Sequence, residues 1–417
     1  MSADIELGRQ KLAWAREHMP VHAALRQRWA STRPLAGITV GVCSHIEAKT
    51  GVFVETLAAA GAEVVFTGSE PGSSQDDVVA ALNEQDGIVG YARRGISDAE
   101  LDELHNRALA HRPRFILDDA AELTARMVHQ HPELLDGFIG MCEQTTTGIQ
   151  RIQAMAREGA IRFPAYAVNN TPMKHEFDNI HGTGESSLTN LLQTTNLLLA
   201  GKRVVIAGYG DCGLGLATKA RSLGARVMVT EIEPRQALRA HMAGFEVGPM
   251  AEAAAWGEIF ITATGNREVI RGEHFDVMRD GALMANAGHF NVEIDAEALA
   301  GRAEEVTEAR PGIAEYRTAD GRRLHLVAEG RLVNLATPTA MGHPAEVMDT
   351  TFAMQAVAAC HLVAHAEGLS PGVHAVPDEV DRDVAETRLT TLEIGIDELT
   401  ESQRRFLESW RIEDIKG

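Results

Sequence analysis

The segment RVVIAGYGDCGLGLATKARSLGARVMVTEI, residues 203–232, leaves the chain few folding options. An apolar, β-branched run leads directly into Gly208, Gly210 and Gly213 in GxGxxG spacing; a helical pattern follows, and a second apolar run ends at Glu231. Strand, tight glycine turn, helix and parallel strand form the opening unit of a doubly wound sheet. The glycines let backbone amides approach a pyrophosphate at the positive end of the helix. A carboxylate 23 positions after Gly208 stands where it would bind a ribose 2′-hydroxyl and repel a 2′-phosphate. The unit is therefore expected to bind NAD rather than NADP.

The preceding half of the chain has the same grammar. The runs GITVGVC, AEVVFTG, DGIVGYA, RFILDD, GFIGMC and FPAYAVN alternate with helical stretches such as AELTARMVHQH and TTTGIQRIQAMAREG. This alternation predicts a parallel sheet with helices on both faces. Polar residues gather where the runs end: His45, Asp118 and Asp119, Glu143 and Gln144, Asn169 and Asn170. Each alone reads as a cap or turn residue, but at successive strand ends they outline a crevice of the kind where open α/β sheets bind ligands. The expected architecture is α/β with two domains, each a parallel sheet flanked by helices, one of them a Rossmann NAD domain. The substrate domain is placed at 1–180 and 345–380, the NAD domain at 181–344 and a C-terminal segment at 381–417, with short crossings near 180 and 345 as candidate hinges.

With 417 residues, 45% of them hydrophobic, the chain can bury more than one core. A net charge of −20 argues against nucleic acid and anionic membrane surfaces as partners. Cys43, Cys142, Cys212 and Cys360 show no metal-ligand spacing, so no metal is expected. No basic, apolar leader opens the chain and no run approaches the length of a membrane span, so a cytoplasmic protein is expected.

In order along the chain, ADIELGRQKLAWAREHMP, EQTTTG, NNTPMKHEFDN, AGYGDCGLG, NAGHFNVEID, AEGRLVNL, MGHPAEVM and GVHAVPDEVDRDVAETRL resemble the S-adenosylhomocysteine hydrolase family over nearly the whole length. The resemblance implies a tightly held NAD that oxidises the ribose 3′-hydroxyl of a nucleoside thioether. The C4′ proton is acidified beside the new ketone, homocysteine is eliminated from C5′, water adds, and C3′ is reduced again. It further implies that Lys174 and Asp178 handle the 3′-hydroxyl proton with Asn179 in support, that Asp119 lies near C4′, and that His45 and His289 are the acid/base pair around C5′. His343 and Met348 resemble nucleoside ligands. Thr145, Thr146, Thr147, Glu231 and Asn334 resemble cofactor contacts, and Asp211 and Asn286 fall in the cofactor segments AGYGDCGLG and NAGHFNVEID. A homo-oligomer, dimer or tetramer, is implied as well.

The chain departs from the family at the base. Where the family usually reads HxTxET, with threonine and glutamate at the adenine edge, this chain reads His45-Ile46-Glu47-Ala48-Lys49-Thr50. A lysine donor beside a carboxylate acceptor matches the O6 acceptor and N1–H donor of hypoxanthine better than the N6 donor and N1 acceptor of adenine. S-inosylhomocysteine is thus an expected substrate, unless Glu47 and Lys49 pair with each other while a backbone group reads adenine. Gln144 replaces a glutamate near the sugar, Thr183 a cysteine near the cofactor, and His181 an aromatic. NLATPTAMGHP carries two extra residues, and the chain stops at SWRIEDIKG without the family's Lys- and Tyr-bearing tail, which leaves cofactor retention and the usual tetramer open. Two other readings also stay open: an enzyme using 3′-oxidation to epimerise or eliminate, and an idle NAD or nucleoside binder.

Overall fold

The computed structural model describes residues 4–411. After two N-terminal helices the chain lays down β1 (Thr39–Ser44), β2 (Glu63–Gly68), β3 (Ile88–Tyr91), β4 (Phe115–Asp118), β5 (Gly140–Glu143) and β6 (Pro164–Ala167). It then forms β7 (Arg203–Ala207), β8 (Arg226–Thr230), β9 (Glu246–Val247), β10 (Ile259–Thr262), β11 (Ala282–Asn286), β12 (Ala303–Arg310), β13 (Ile313–Thr318) and β14 (Arg323–Val327), and ends with β15 (Gly372–His374). A seven-stranded sheet has the order β15-β6-β5-β4-β1-β2-β3, and an eight-stranded sheet the order β12-β13-β14-β11-β10-β7-β8-β9.

Every pairing in the first sheet is parallel. Its inner strands, β6, β5, β4, β1 and β2, are buried on both faces, as the near-continuous apolar runs require, while the edge strands β3 and β15 are partly exposed. The second sheet is mostly parallel, as expected, with an addition at one edge. β7, β8, β9, β10, β11 and β14 run parallel, but β12 and β13 add an antiparallel extension. The reason is local: β12, AEEVTEAR, is exposed along nearly its whole length and needs only hairpin pairing, without a crossover helix.

The helix Ala345–His365 returns the chain to the first sheet and is mostly buried. With its last turn it is the one helix among the described residues long and apolar enough to cross a membrane, contrary to the expectation from sequence, and 67% of its most apolar window is buried within the fold. Phe352 stacks on Phe53 of the helix Ala48–Ala59, ring centroids 4.7 Å apart. One turn earlier, Asp349 is fully buried and closes the N-terminus of the helix Pro20–Thr32, accepting from the backbone amides of Val21 (2.9 Å) and His22 (3.0 Å). The same carboxylate meets His22 Nδ1 at 2.8 Å and the Arg388 guanidinium at 3.1 Å.

Asp349 thus joins three segments far apart in sequence. Asp349→Ala strands all of these donors in a dry interior and is expected to cost about 3–5 kcal/mol in denaturant unfolding. A loss below about 1 kcal/mol would show that water already solvates the site.

Candidate active site

The carboxyl ends of β1 and β4 bring the first cluster together. His45 directly follows Ser44, and Asp119 follows Asp118, at the ends of adjacent strands. His45 Nε2 lies 3.4 Å from Asp119 Oδ2, and His289 Nδ1, arriving from the loop after β11, lies 3.6 Å from Asp119 Oδ1. The two imidazole rings are 5.8 Å apart. His45 Nδ1 is tied to Ser73 Oγ at 2.8 Å, which fixes the ring so that Nε2 faces the carboxylate. Burial pushes the His45 imidazole below its ordinary pKa, against the opposing pull of Asp119, so the neutral base is favoured. Asp119 Oδ1 is buried without a hydrogen-bond partner.

A second cluster is built on a widened, π-helical turn, His175–Gly182, which follows Lys174. This turn carries Asp178 and Asn179 round to the lysine. Lys174 Nζ donates to Asn169 Oδ1 (3.1 Å), Asp178 Oδ1 (3.0 Å) and Asn179 Oδ1 (2.6 Å), and Asn179 Nδ2 closes the ring onto Asn169 Oδ1 (3.1 Å). Asp178 Oδ2 accepts from Thr351 Oγ1 at 2.8 Å and stands 3.4 Å from His343 Nδ1. Burial alone would raise the Asp178 carboxyl, but the Lys174 ammonium, His343 and Thr351 hold it well below the usual carboxylate range. His343 comes this close because Gly182 has no side chain; a Cβ there would sit 2.6 Å from Nδ1.

Both clusters open into one cavity of about 960 Å³ that also reaches Gly208, Gly210, Asp211, Thr230, Glu231 and Ile232. The volume lies at the upper end for small-molecule sites. Its far half fits a dinucleotide. Gly208 takes φ 93°, and a Cβ at Gly213 would lie 2.0 Å from the Gly208 carbonyl oxygen, so helix and strand close only on glycine. Gly210 caps the following helix without a side-chain hydrogen bond and has open space beside it, leaving room at the amides of the helix start. Glu231 accepts from Tyr209 N (2.6 Å) on Oε2 and from Ile232 N (2.7 Å) and Glu233 N (3.1 Å) on Oε1, which holds its carboxylate at the cavity wall with a lone pair of Oε2 left for a ribose hydroxyl. The buried Asn334 Oδ1 and Gln144 Oε1, both on the wall, have no partner.

Of the residues expected at the site, His45, Glu47, Thr50, Asp119, Gln144, Thr145, Thr146, Thr147, Lys174, Asp178, Asn179, His289, Asn334, His343 and Met348 line this cavity, with the glycine-loop residues already named. Lys49, Gly213 and Asn286 do not. Lys49 Nζ pairs with Glu47 Oε2 at 2.7 Å and donates to the Met341 carbonyl at 2.5 Å. Asn286 spends its amide on the carbonyls of Gly288, Phe290 and Gly330 and accepts from Gly288 N, so it braces the loop that carries His289. Thr183 lines the cavity 3.6 Å from Cys212 Sγ, whereas His181 is exposed. Asn169, Ser73 and Glu143 were given no role from sequence; strand-end position was the one signal for Asn169 and Glu143, and Ser73 gave none.

A glycine-turn cofactor half, joined through one cavity to a half bearing a lysine–carboxylate–amide cluster and paired histidines, defines an NAD-binding α/β protein of the two-sheet type. The NAD-binding domain of S-adenosyl-L-homocysteine hydrolase matches residues 179–340. The chain is 51% identical over 404 residues to the S-inosyl-L-homocysteine hydrolase of Methanopyrus kandleri, covering 97% of this chain and 95% of that protein. It is 51% identical over 403 residues to an adenosylhomocysteinase of Haloquadratum walsbyi (97% and 93% covered), and 48% identical over 406 residues to the S-inosyl-L-homocysteine hydrolase of Methanosarcina acetivorans (97% and 98% covered). The chain belongs to the adenosylhomocysteinase family.

Because burial depresses the His45 pKa, its neutral form persists to lower pH than for a free imidazole. The acid limb of the kcat/KM profile assigned to His45 is expected below about pH 6.5. A limb above that value that vanishes in His45→Asn would contradict the geometry.

Proposed function

We propose that the protein hydrolyses an S-nucleosyl-L-homocysteine to the nucleoside and homocysteine, with NAD recycled within each turnover. The observation that carries this reading is the convergence of the Lys174 cluster and the His45–Asp119–His289 cluster on one cavity that runs on to the glycine loop. Bound NAD supplies a reversible two-electron oxidation at C3′. In this reading the 3′-hydroxyl takes the place of one amide oxygen on Nζ, Lys174 enters the step as the neutral amine and receives the hydroxyl proton, and the ammonium so formed is balanced by Asp178. Asp119, whose Oδ1 accepts no hydrogen bond, takes the C4′ proton, and the electron pair left behind, delocalised onto the 3′-ketone, expels the thiolate from C5′. The proton on Asp119 passes through the imidazole of His45 or His289 to the sulfur, and the proton released by the water that adds at C5′ returns by the same route to Asp119 for C4′, after which C3′ is reduced again. Residues 1–180 with 345–380 act as the substrate domain and 181–344 as the cofactor domain, closing at the crossings near 180 and 345. The protein acts as a cytoplasmic homo-oligomer in this account.

The base is read as a 6-oxopurine, through Glu47. Its carboxylate stands on the cavity wall and accepts, as the N1–H of hypoxanthine requires. Burial raises the Glu47 pKa, while Lys49 at 2.7 Å pulls it back and favours the anion. Lys49 therefore acts through Glu47 and by tethering the Met341 carbonyl. The curated relatives carry both the inosyl and the adenosyl name at equal identity, so the distinction rests on these side chains.

Thiol release from S-inosyl-, S-adenosyl- and S-guanosyl-homocysteine tests both parts. The inosyl compound is expected to be cleaved fastest, and the double variant Glu47→Thr, Lys49→Glu to shift the ratio toward adenosyl by about ten-fold or more. Adenosyl preference in the wild type would remove Glu47 as the base reader, and no thiol from any of the three would favour an epimerising or eliminating enzyme.

A further inference from the structure

Asp119 is followed by two consecutive alanines in the left-handed region, Ala120 at φ 61° and Ala121 at φ 55°. Residues with a Cβ visit this region at a cost, and two in a row persist only where something holds them. The holder is Glu143, fully buried at the end of β5. Its Oε1 accepts from Ala120 N (3.1 Å), Thr145 N (2.8 Å) and Thr145 Oγ1 (2.7 Å), and its Oε2 from Ala121 N (2.8 Å). Gly148 lets the helix that follows come down onto this carboxylate: a Cβ there would lie 2.1 Å from the Glu143 carboxyl carbon. Thr145 Oγ1 in turn accepts from Ala120 N (3.0 Å) and Gly148 N (3.0 Å). On the other side Asp118, paired in register with Glu143, accepts from Asp119 N (3.0 Å) and Thr124 N (2.8 Å). The Asp119 backbone is thereby pinned while one side-chain oxygen, Oδ1, accepts no hydrogen bond.

We propose that Glu143 is a positioning residue for the C4′ proton transfer: its carboxylate locks the left-handed Ala120–Ala121 turn and sets Asp119 in register with the Thr145–Thr147 segment. The proposal rests on the reaction described above. Glu143→Gln is isosteric but must turn an NH₂ donor toward a backbone N–H, so the turn loses a partner and Asp119 its fixed place.

The test uses the NAD-loaded protein with inosine and adenosine, following two signals: absorbance of reduced cofactor, which reports oxidation at C3′, and exchange of the C4′ hydrogen for solvent deuterium by NMR. Glu143→Gln is expected to slow C4′ exchange about 100-fold while oxidation, which runs through Lys174 and Asp178, changes by less than about ten-fold. Adding Ala120→Gly and Ala121→Gly, which removes the cost of the left-handed turn, is expected to restore part of the exchange rate. If Glu143→Gln does not fold, as judged by circular dichroism, Glu143→Asp keeps the charge, shortens the reach and is expected to give the same split between the two signals. Equal loss of both signals in a folded variant, or unchanged exchange, would overturn the proposal. Wild-type protein that oxidises a nucleoside without exchanging C4′ would overturn the reaction scheme instead.

Discussion

Lys174 is the point on which the site turns. A buried ammonium is tolerated only when its donors are matched, and here Asn169, Asp178 and Asn179 take all three. Two of these partners come from the π-helical turn itself, which explains why the helix widens there: a regular 3.6-residue pitch places positions four and five residues on at different angles, and one ammonium cannot reach both as easily. Asp178 extends the same network to Thr351 and His343, where the chain crosses back toward the first sheet. The two crossings between the sheets are therefore joined through one carboxylate, and any change in their geometry is felt at the lysine.

Other buried acceptors, at the strand ends, serve loops rather than ion pairs. Asp118, Glu143 and Glu293 each accept mainly from backbone amides at strand ends, and Asn286 does similar work with both ends of its amide. Glu293 ties Thr264 and Gly265, after β10, to the loop at Gly288, where a Cβ would lie 1.8 Å from its oxygen. Such groups are costly to bury, and burial raises the Glu143 and Glu293 pKa values and brings Asp118 to about 6. What they secure is placement, since the loops they hold carry Asp119, His289 and the cofactor-facing segments. The many exposed ion pairs of this acidic chain contribute little by comparison.

Much of this was legible in the residues. The glycine loop, the strand ends and the ordered family segments led to a cavity that nearly all the named side chains share. The misses have physical causes. β12 is charged and exposed, so it lacks the apolar signature of the other strands. The left-handed turn at Ala120 and Ala121 is invisible because alanine signals no positive φ; only the structure shows that a distant carboxylate enforces it. Lys49 carries the right charge for a base contact, yet its partner two residues away and the Met341 carbonyl compete for it, and composition cannot decide such a competition. Asn286 sits in a cofactor segment but faces the loop behind it, because strand register sends alternate side chains to opposite faces.

The central claim is that Lys174 and Asp178 serve a transient oxidation at C3′. Stopped-flow absorbance of the NAD-loaded protein mixed with S-inosylhomocysteine tests it most directly. The account predicts a rise in reduced nicotinamide that precedes thiol release and then relaxes to the level that inosine alone produces, with the rise abolished in Lys174→Met. Thiol release with no reduced nicotinamide at any time, or an undiminished rise in Lys174→Met, would contradict it.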